Sequence, residues 1–267
     1  MKTYNRNEIL EQLQTMGVPQ DVPVLMHTSL RAVGPVEGRG EALLEILIEH
    51  VTARGGLFCV PTHTWGNLRL PITLDLADPK TCIGAFTEIA ARSPLGVRTP
   101  HATHSMKVFG DPDRVREFVA GEGYALTPDP EDGCYGRLVK DGGKVLLVGV
   151  GHNRNTFLHS VEEMLDVPNR LSEDARSLYV RYPDGRIEEH RMRIHKAEGI
   201  GDVSAFYPKY EPAFRYHGAI RDGFIGHAPT QLCDARGMKD VLALIRERSG
   251  GAELLSDDTP LPKEFYC

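Results

Sequence analysis

The chain has 267 residues, 41% hydrophobic and 25% charged, with a formal net charge of -6. That length buries a large core, in one large domain or two of ordinary size. The mildly acidic balance, without a basic block, argues against nucleic acid or an anionic membrane as the main partner. Five cysteines (Cys59, Cys82, Cys134, Cys233, Cys267) are an odd number with no C-x-x-C pair. This usage fits a reducing cytoplasm better than secretion. The opening M-K-T-Y-N-R-N-E lacks an apolar signal core, and no apolar run is long enough to span a membrane, so a soluble cytoplasmic protein is expected.

Asn5 to Met16 carries Ile9, Leu10, Leu13 and Met16 at helical spacing and is closed by Gly17, a helix with a glycine stop. Val22 to His27 reads as a short buried strand, followed by the glycine-rich T-S-L-R-A-V-G-P-V-E-G-R-G and a helix over Glu41 to Arg54. Gly55-Gly56 stops that helix, and Leu57 to Val60 is another buried strand, completing the pattern of a βαβ unit. Free amides at the helix start would suit a phosphate, but neither G-x-G-x-x-G nor G-x-x-x-x-G-K-[ST] is present. Pro61 to Pro79 reads as a loop of the kind that walls a site. A helix is expected over Cys82 to Arg92, an irregular run with His101 and His104 follows, and Met106 to Phe109 reads as a strand. Asp111-Pro112 opens a helix through Ala120. Gly121 to Gly133 is acidic and turn-rich, and leads through Cys134 to Val139 into the central stretch.

That stretch, Lys144 to Met164, organises the chain. Val145 to Val150 is too short for a helix and too apolar for an edge, hence a buried strand. A turn over Gly151 to Asn155 follows, with Asn155 or Thr156 available as a helix cap. His159 then falls in the first or second helical turn, beyond the carboxyl end of a central strand, where open α/β sheets bind ligands. Thr156, Glu162 and Glu163 share its face. The positive helix end and the carboxylates pull its pKa in opposite directions, which suits a general base near neutrality. A surface histidine beside solvated glutamates is the competing reading of the same pattern.

Past Pro168 the character changes. Ser177 to Tyr182 and Arg186 to Ile194 alternate polar and apolar residues about Pro183-Asp184-Gly185, a hairpin signal. His195 to Pro212 is irregular, and Arg236 to Arg248 is an amphipathic helix. One continuous domain over residues 1–267 is expected, with residues 169–235 as a β-rich excursion. Eleven histidines invite a metal, but H-E-x-x-H and Cys/His zinc spacing are absent, so no metal is expected. The G-x-S-x-G elbow of a serine hydrolase is absent too.

Four blocks in order resemble the antibiotic N-acetyltransferase family, the aminoglycoside 3-N-acetyltransferases. Met26-His27-Thr28-Ser29-Leu30 with Arg31-Ala32-Val33-Gly34 is similar to the opening H-[ST]-S-[LF] and its glycine loop. Gly55 to Thr62 resembles G-G-T-L-x-x-P-[ST], and Arg98 to Ser105 resembles R-S-x-H-P-x-x-S. Leu146 to Glu162 resembles L-L-x-G-V-G-x-x-x-N-T-x-L-H-x-x-E. The resemblance implies a layered α/β/α sheet and an acetyl-coenzyme A-dependent acyltransferase acting on an aminoglycoside or related amine. It implies that His159 is the general base, with Glu162 and Glu88 orienting it or the amine. It further implies that Thr28, Ser29, Leu30, Arg31, Val33, Gly34 and Thr62 flank coenzyme A, and that His101 and Ser105 line the same cleft.

The chain also departs from the family pattern: a serine-proline block before the central strand is replaced by Cys134-Tyr135-Gly136. The H-P of the third block is His101-Ala102. The region where the family's aminoglycoside enzymes carry acids reads E-E-H-R-M-R-I-H-K-A-E-G-I-G-D, with residues 169–235 expected to form the acceptor-side wall. An acetyltransferase for a non-aminoglycoside amine, or a coenzyme A or metabolite binder without turnover, stays open, as does a homodimer.

Overall fold

A computed structural model describes residues 1–267. In chain order the first elements are α1 (Arg6–Met16), β1 (Pro23–Thr28), α2 (Leu30–Val33), α3 (Arg39–Thr52), β2 (Leu57–Pro61), β3 (Leu74–Asp75) and α4 (Ala85–Arg92). Then come β4 (Val97–Arg98), β5 (Met106–Phe109), α5 (Pro112–Phe118), α6 (Cys134–Lys140), β6 (Lys144–Val148) and α7 (Phe157–Met164). The last are β7 (Arg176–Arg181), β8 (Ile187–Met192), α8 (Glu211–Tyr216), β9 (Ile220–Ile225), β10 (Ala228–Asp234) and α9 (Ala235–Arg248).

Seven strands form one sheet in the order β4-β5-β2-β1-β6-β10-β9, with β2, β1 and β6 parallel at its centre. Strand alternation gives this sheet two cores. Leu25, Cys59, Val145 and Leu147 face α5, α6, α7 and α9, while Val24, Phe58, Val60, Leu146 and Val148 face α1 and α3. The result is the layered α/β/α arrangement expected from the sequence. A separate sheet, β3-β7-β8, packs Leu74, Leu178, Val180 and Met192 around Ala102. The hairpin read about Pro183-Asp184-Gly185 is β7 paired antiparallel with β8.

Local chemistry sets the element ends. Asn5 and Glu8 close a capping box on α1, and Gly17 ends it in the left-handed region at φ 72°. At β6 the strand stops two residues before the expected Val150. Gly149 turns there with φ 63°, and a Cβ would lie 2.3 Å from the Ala32 Cβ. The helix expected from Cys82 starts later, at Ala85, because Gly84 takes φ 130°, outside the helical region. Neither Asn155 nor Thr156 caps α7 through its side chain; Asn155 instead bonds His152 Nδ1 at 3.2 Å.

Several elements escape the sequence patterns. Cys134 to Lys140, read only as a lead-in, is helix α6. Val203–Tyr210, read as irregular, is a 3-10 helix, whose three-residue turn leaves no 3.6-residue stripe. The strands β9 and β10 return the chain to the main sheet, where β10 pairs antiparallel with β6. Arg221, Asp222 and Gly223 break the alternation of β9, an edge strand. No helix is long and apolar enough to cross a membrane.

Burial of neutral histidines makes the fold acid-sensitive. Burial pushes His27 from the usual 6.5 to about 3, and it pushes His152, packed on Phe214, to about 4. As pH falls below 6.5 the unfolded chain takes up these protons and the folded chain does not. Stability is therefore full above that value and lost toward the folded pKa, at about 1.4 kcal/mol per pH unit for each histidine. Urea unfolding is expected to give a markedly lower free energy at pH 5 than at pH 7.5. His152→Gln should flatten that slope, and equal free energies at the two pH values would refute the account.

Candidate active site

The carboxyl ends of the central parallel strands open into a cleft of about 960 Å³. Thr28 at the end of β1 with Ser29 to Arg31 after it, Pro61 and His63 at the end of β2, and Val150 with Asn153 to Thr156 beyond β6 line it. The start of α4 and the segment 194–204 close the other sides. This is the position at which parallel α/β sheets hold ligands, because the connecting loops diverge there.

His159 lies in the first turn of α7 and lines this cleft. Its Nδ1 is 2.7 Å from the Tyr207 hydroxyl, which donates to Glu162 Oε2 at 2.5 Å. Since the hydroxyl proton goes to Glu162, the tyrosine oxygen accepts the proton carried on His159 Nδ1. The imidazole is thereby held in the tautomer whose Nε2 bears the lone pair. Glu162 sits one helical turn from His159, with 3.8 Å between its Oε2 and Nδ1, so Tyr207 serves as the bridge between them. Arg170 donates from Nε to Glu162 Oε1 at 2.7 Å and grips both oxygens of Glu253 at 2.8 and 3.0 Å. Burial raises the Glu162 pKa, and Arg170 and Tyr207 pull against it.

The balance expected at His159 is not what the fold produces. Burial drives its pKa well below the usual value, and the neighbouring His195, Arg170 and His63 push the same way. A neutral, proton-accepting imidazole results. The His195 ring stacks on it with centroids 4.3 Å apart, and its Nε2 meets Asp129 Oδ2 at 2.8 Å. Burial alone would depress His195, but the Asp129 hydrogen bond and charge raise it. Glu163 does not bond His159; its Oε1 accepts the Asp129 N–H at 3.0 Å.

The sequence profile described as Aminoglycoside 3-N-acetyltransferase matches residues 25–245. The chain belongs to the aminoglycoside 3-N-acetyltransferase family. Aminoglycoside N(3)-acetyltransferase III of Salmonella sp is 27% identical over 263 residues, covering 87% of this chain and 88% of the relative. Aminoglycoside N(3)-acetyltransferase VII of Streptomyces paromomycinus is 29% identical over 281 residues, covering 92% of each. Among solved structures, AAC-IIIb in a binary complex with CoASH superposes with TM-score 0.76 at 18% identity, over 92% of this chain and 98% of that one. Aminoglycoside acetyltransferase AAC(3)-IIb gives 0.75 at 22% identity, over 95% and 100% of the two chains. These likenesses establish the acetyltransferase fold.

Within that fold the residues singled out by sequence divide into two groups. His159, Thr28, Ser29, Leu30 and Arg31 line the cleft, and Glu162 stands directly behind His159. The others do not reach it. Val33 is in the core beneath α1 and α3, and Gly34 packs toward Met1 and His227. Thr62 and Ser105 are fully buried and bond each other at 2.9 Å. His101 is spent on a turn, its Nδ1 accepting the N–H groups of Thr103 and His104. Glu88 is half-buried on α4, where Phe86 and Thr87 rather than Glu88 line the cleft. The start of α3 also lies off the cleft, so it is no phosphate seat. Sequence reasoning missed Tyr207 as a site residue, and no local pattern marks it.

Proposed function

We propose that this chain transfers the acetyl group of acetyl-coenzyme A to an amine, an aminoglycoside or a related compound, with His159 as general base. The observation that carries the reading is the hydrogen-bond chain His159–Tyr207–Glu162, which leaves His159 Nε2 free at the cleft. Nε2 takes the proton of the acceptor amine as its nitrogen attacks the thioester carbonyl. The nitrogen–carbon bond forms, the tetrahedral adduct collapses, and the carbon–sulfur bond breaks to release coenzyme A as the thiolate. Positive charge arising on His159 is opposed through Tyr207 by the Glu162 carboxylate, so the residue behind the base stabilises the state in which it holds the proton. Thr28 to Arg31, at the end of β1, supply the wall on which coenzyme A rests.

Charge on the wall favours a narrower acceptor class. The cleft is lined by Arg31, Arg154, Arg170 and Lys196 but by a single carboxylate, Asp202, which accepts from the Ser204 N–H and hydroxyl. Arg170 and Lys196 are paired with glutamates, whereas Arg31 and Arg154 have no acidic partner. Two free guanidiniums suit the phosphates of coenzyme A and repel a polycation. The expected result is acetylated product and thiol release with some amine in a panel. For a kanamycin- or gentamicin-type acceptor, kcat/KM should stay below about 10⁴ M⁻¹s⁻¹, the low end for ordinary enzymes. A higher value would overturn the charge argument, and no acetylated product with any amine would overturn the acetyltransferase reading.

A further inference from the structure

The cleft wall holds a second polar group, beside His159. His104 precedes β5, Asp129 lies in the turn-rich run before α6, and His195 follows β8, where it bridges to Leu171. One donor atom from each of the three lies within 4.8 Å of the others. Asp129 is fully buried, and its Oδ1 has no hydrogen-bond partner; His195 Nδ1 is likewise buried without one. A buried carboxylate oxygen left unsatisfied is costly, so its retention calls for a ligand or another compensation. His104 Nδ1 is held at 2.9 Å by the Thr103 hydroxyl, which leaves Nε2 as the free nitrogen of that ring.

We propose that His104, Asp129 and His195 form a binding site for a divalent transition metal of the zinc type, with a further coordination position open to the cleft. Two imidazoles and one carboxylate are a donor set that zinc favours, and three protein ligands leave room for water or another molecule. Calcium and magnesium require more oxygen donors than this group offers. His104 and His195 both line the cleft, which provides the entry path. The Thr103 contact supplies the outer hydrogen bond that fixes a ligating histidine in one orientation. Ligation at about 2.0–2.2 Å draws the three side chains together and replaces the direct His195–Asp129 contact. Such a metal stands beside the His195 ring that stacks on His159, within the cleft the acceptor must enter.

The test uses tag-free chain of residues 1–267 carrying Cys82→Ser and Cys267→Ser, since these are the exposed thiols. Zinc chloride is titrated by calorimetry, and retained metal is counted by atomic spectrometry after desalting. One zinc per chain is expected, with magnesium chloride giving no heat. His104→Ala and Asp129→Asn should each weaken zinc binding by about 10- to 100-fold or more, and Thr103→Val should fall toward the low end of that range. Circular dichroism verifies that each variant is folded; if Asp129→Asn is not, His104→Ala decides alone. Absence of retained zinc, or unchanged affinity in folded His104→Ala, overturns the site. Neither result touches the acetyl-transfer reading, which the amine panel decides.

Discussion

His159→Ala is expected to lower turnover by about 10²–10⁴-fold, or roughly 3–5 kcal/mol in barrier, while coenzyme A affinity stays within a few-fold of the parent. The size follows from what the side chain does. Its Nε2 is a proton acceptor at the cleft, and its tautomer is held through Tyr207 at 2.7 Å. The affinity is spared because the wall formed by Thr28 to Arg31 lies on a different element. His101→Ala is the informative comparison, since His101 lies in a second family block and the resemblance implies that it lines the same cleft. Its ring sits 1% exposed inside a turn, so its loss should lower stability and leave the residual folded enzyme active. Kinetics of both variants with one acceptor would settle the matter. If His101→Ala abolished turnover and His159→Ala left it nearly intact, the assignment would be reversed.

Arg170→Ala should be the most damaging single change to stability outside the two main cores. The guanidinium is 5% exposed and lies between Glu162 and Glu253, with further bonds to the Pro168 and Asn169 carbonyls. Removing it leaves Glu162, itself 3% exposed, as a buried carboxylate without its cation. Breaking a buried pair from one side typically costs about 3–5 kcal/mol. For a chain of this size that corresponds to a fall of roughly 6–20 °C in Tm. Arg170→Lys should lie between the two, because an ammonium cannot reproduce the two-point grip on Glu253. Activity should fall with stability, since Glu162 fixes Tyr207 and Tyr207 fixes His159. Differential scanning calorimetry showing Arg170→Ala within about 2 °C of the parent would mean that the ion pair contributes little here, as most exposed pairs do.

The sequence by itself determined what depends on neighbours along the chain. The apolar runs at Leu57 to Val60 and Val145 to Val150 read as buried strands, and both lie in the central sheet on either side of β1, although β6 ends at Val148. The placing of Glu162 one turn after His159 follows from helix geometry alone, and four motif blocks in order identified the family. Tertiary structure decided what depends on which side of a wall a residue faces. Pro61 and His63 line the cleft while Thr62 between them points behind it; His104 lines it while Ser105 next to it does not. Adjacent residues on extended chain point in opposite directions, so a motif names both kinds of position without distinguishing them. Tyr207 comes from a 3-10 helix 48 residues beyond His159, and Asp129 meets His195 across 66 residues. The proton preference of His159 was equally out of reach of local pattern, because burial and the His195 ring set it, and both exist only once the chain has folded around them.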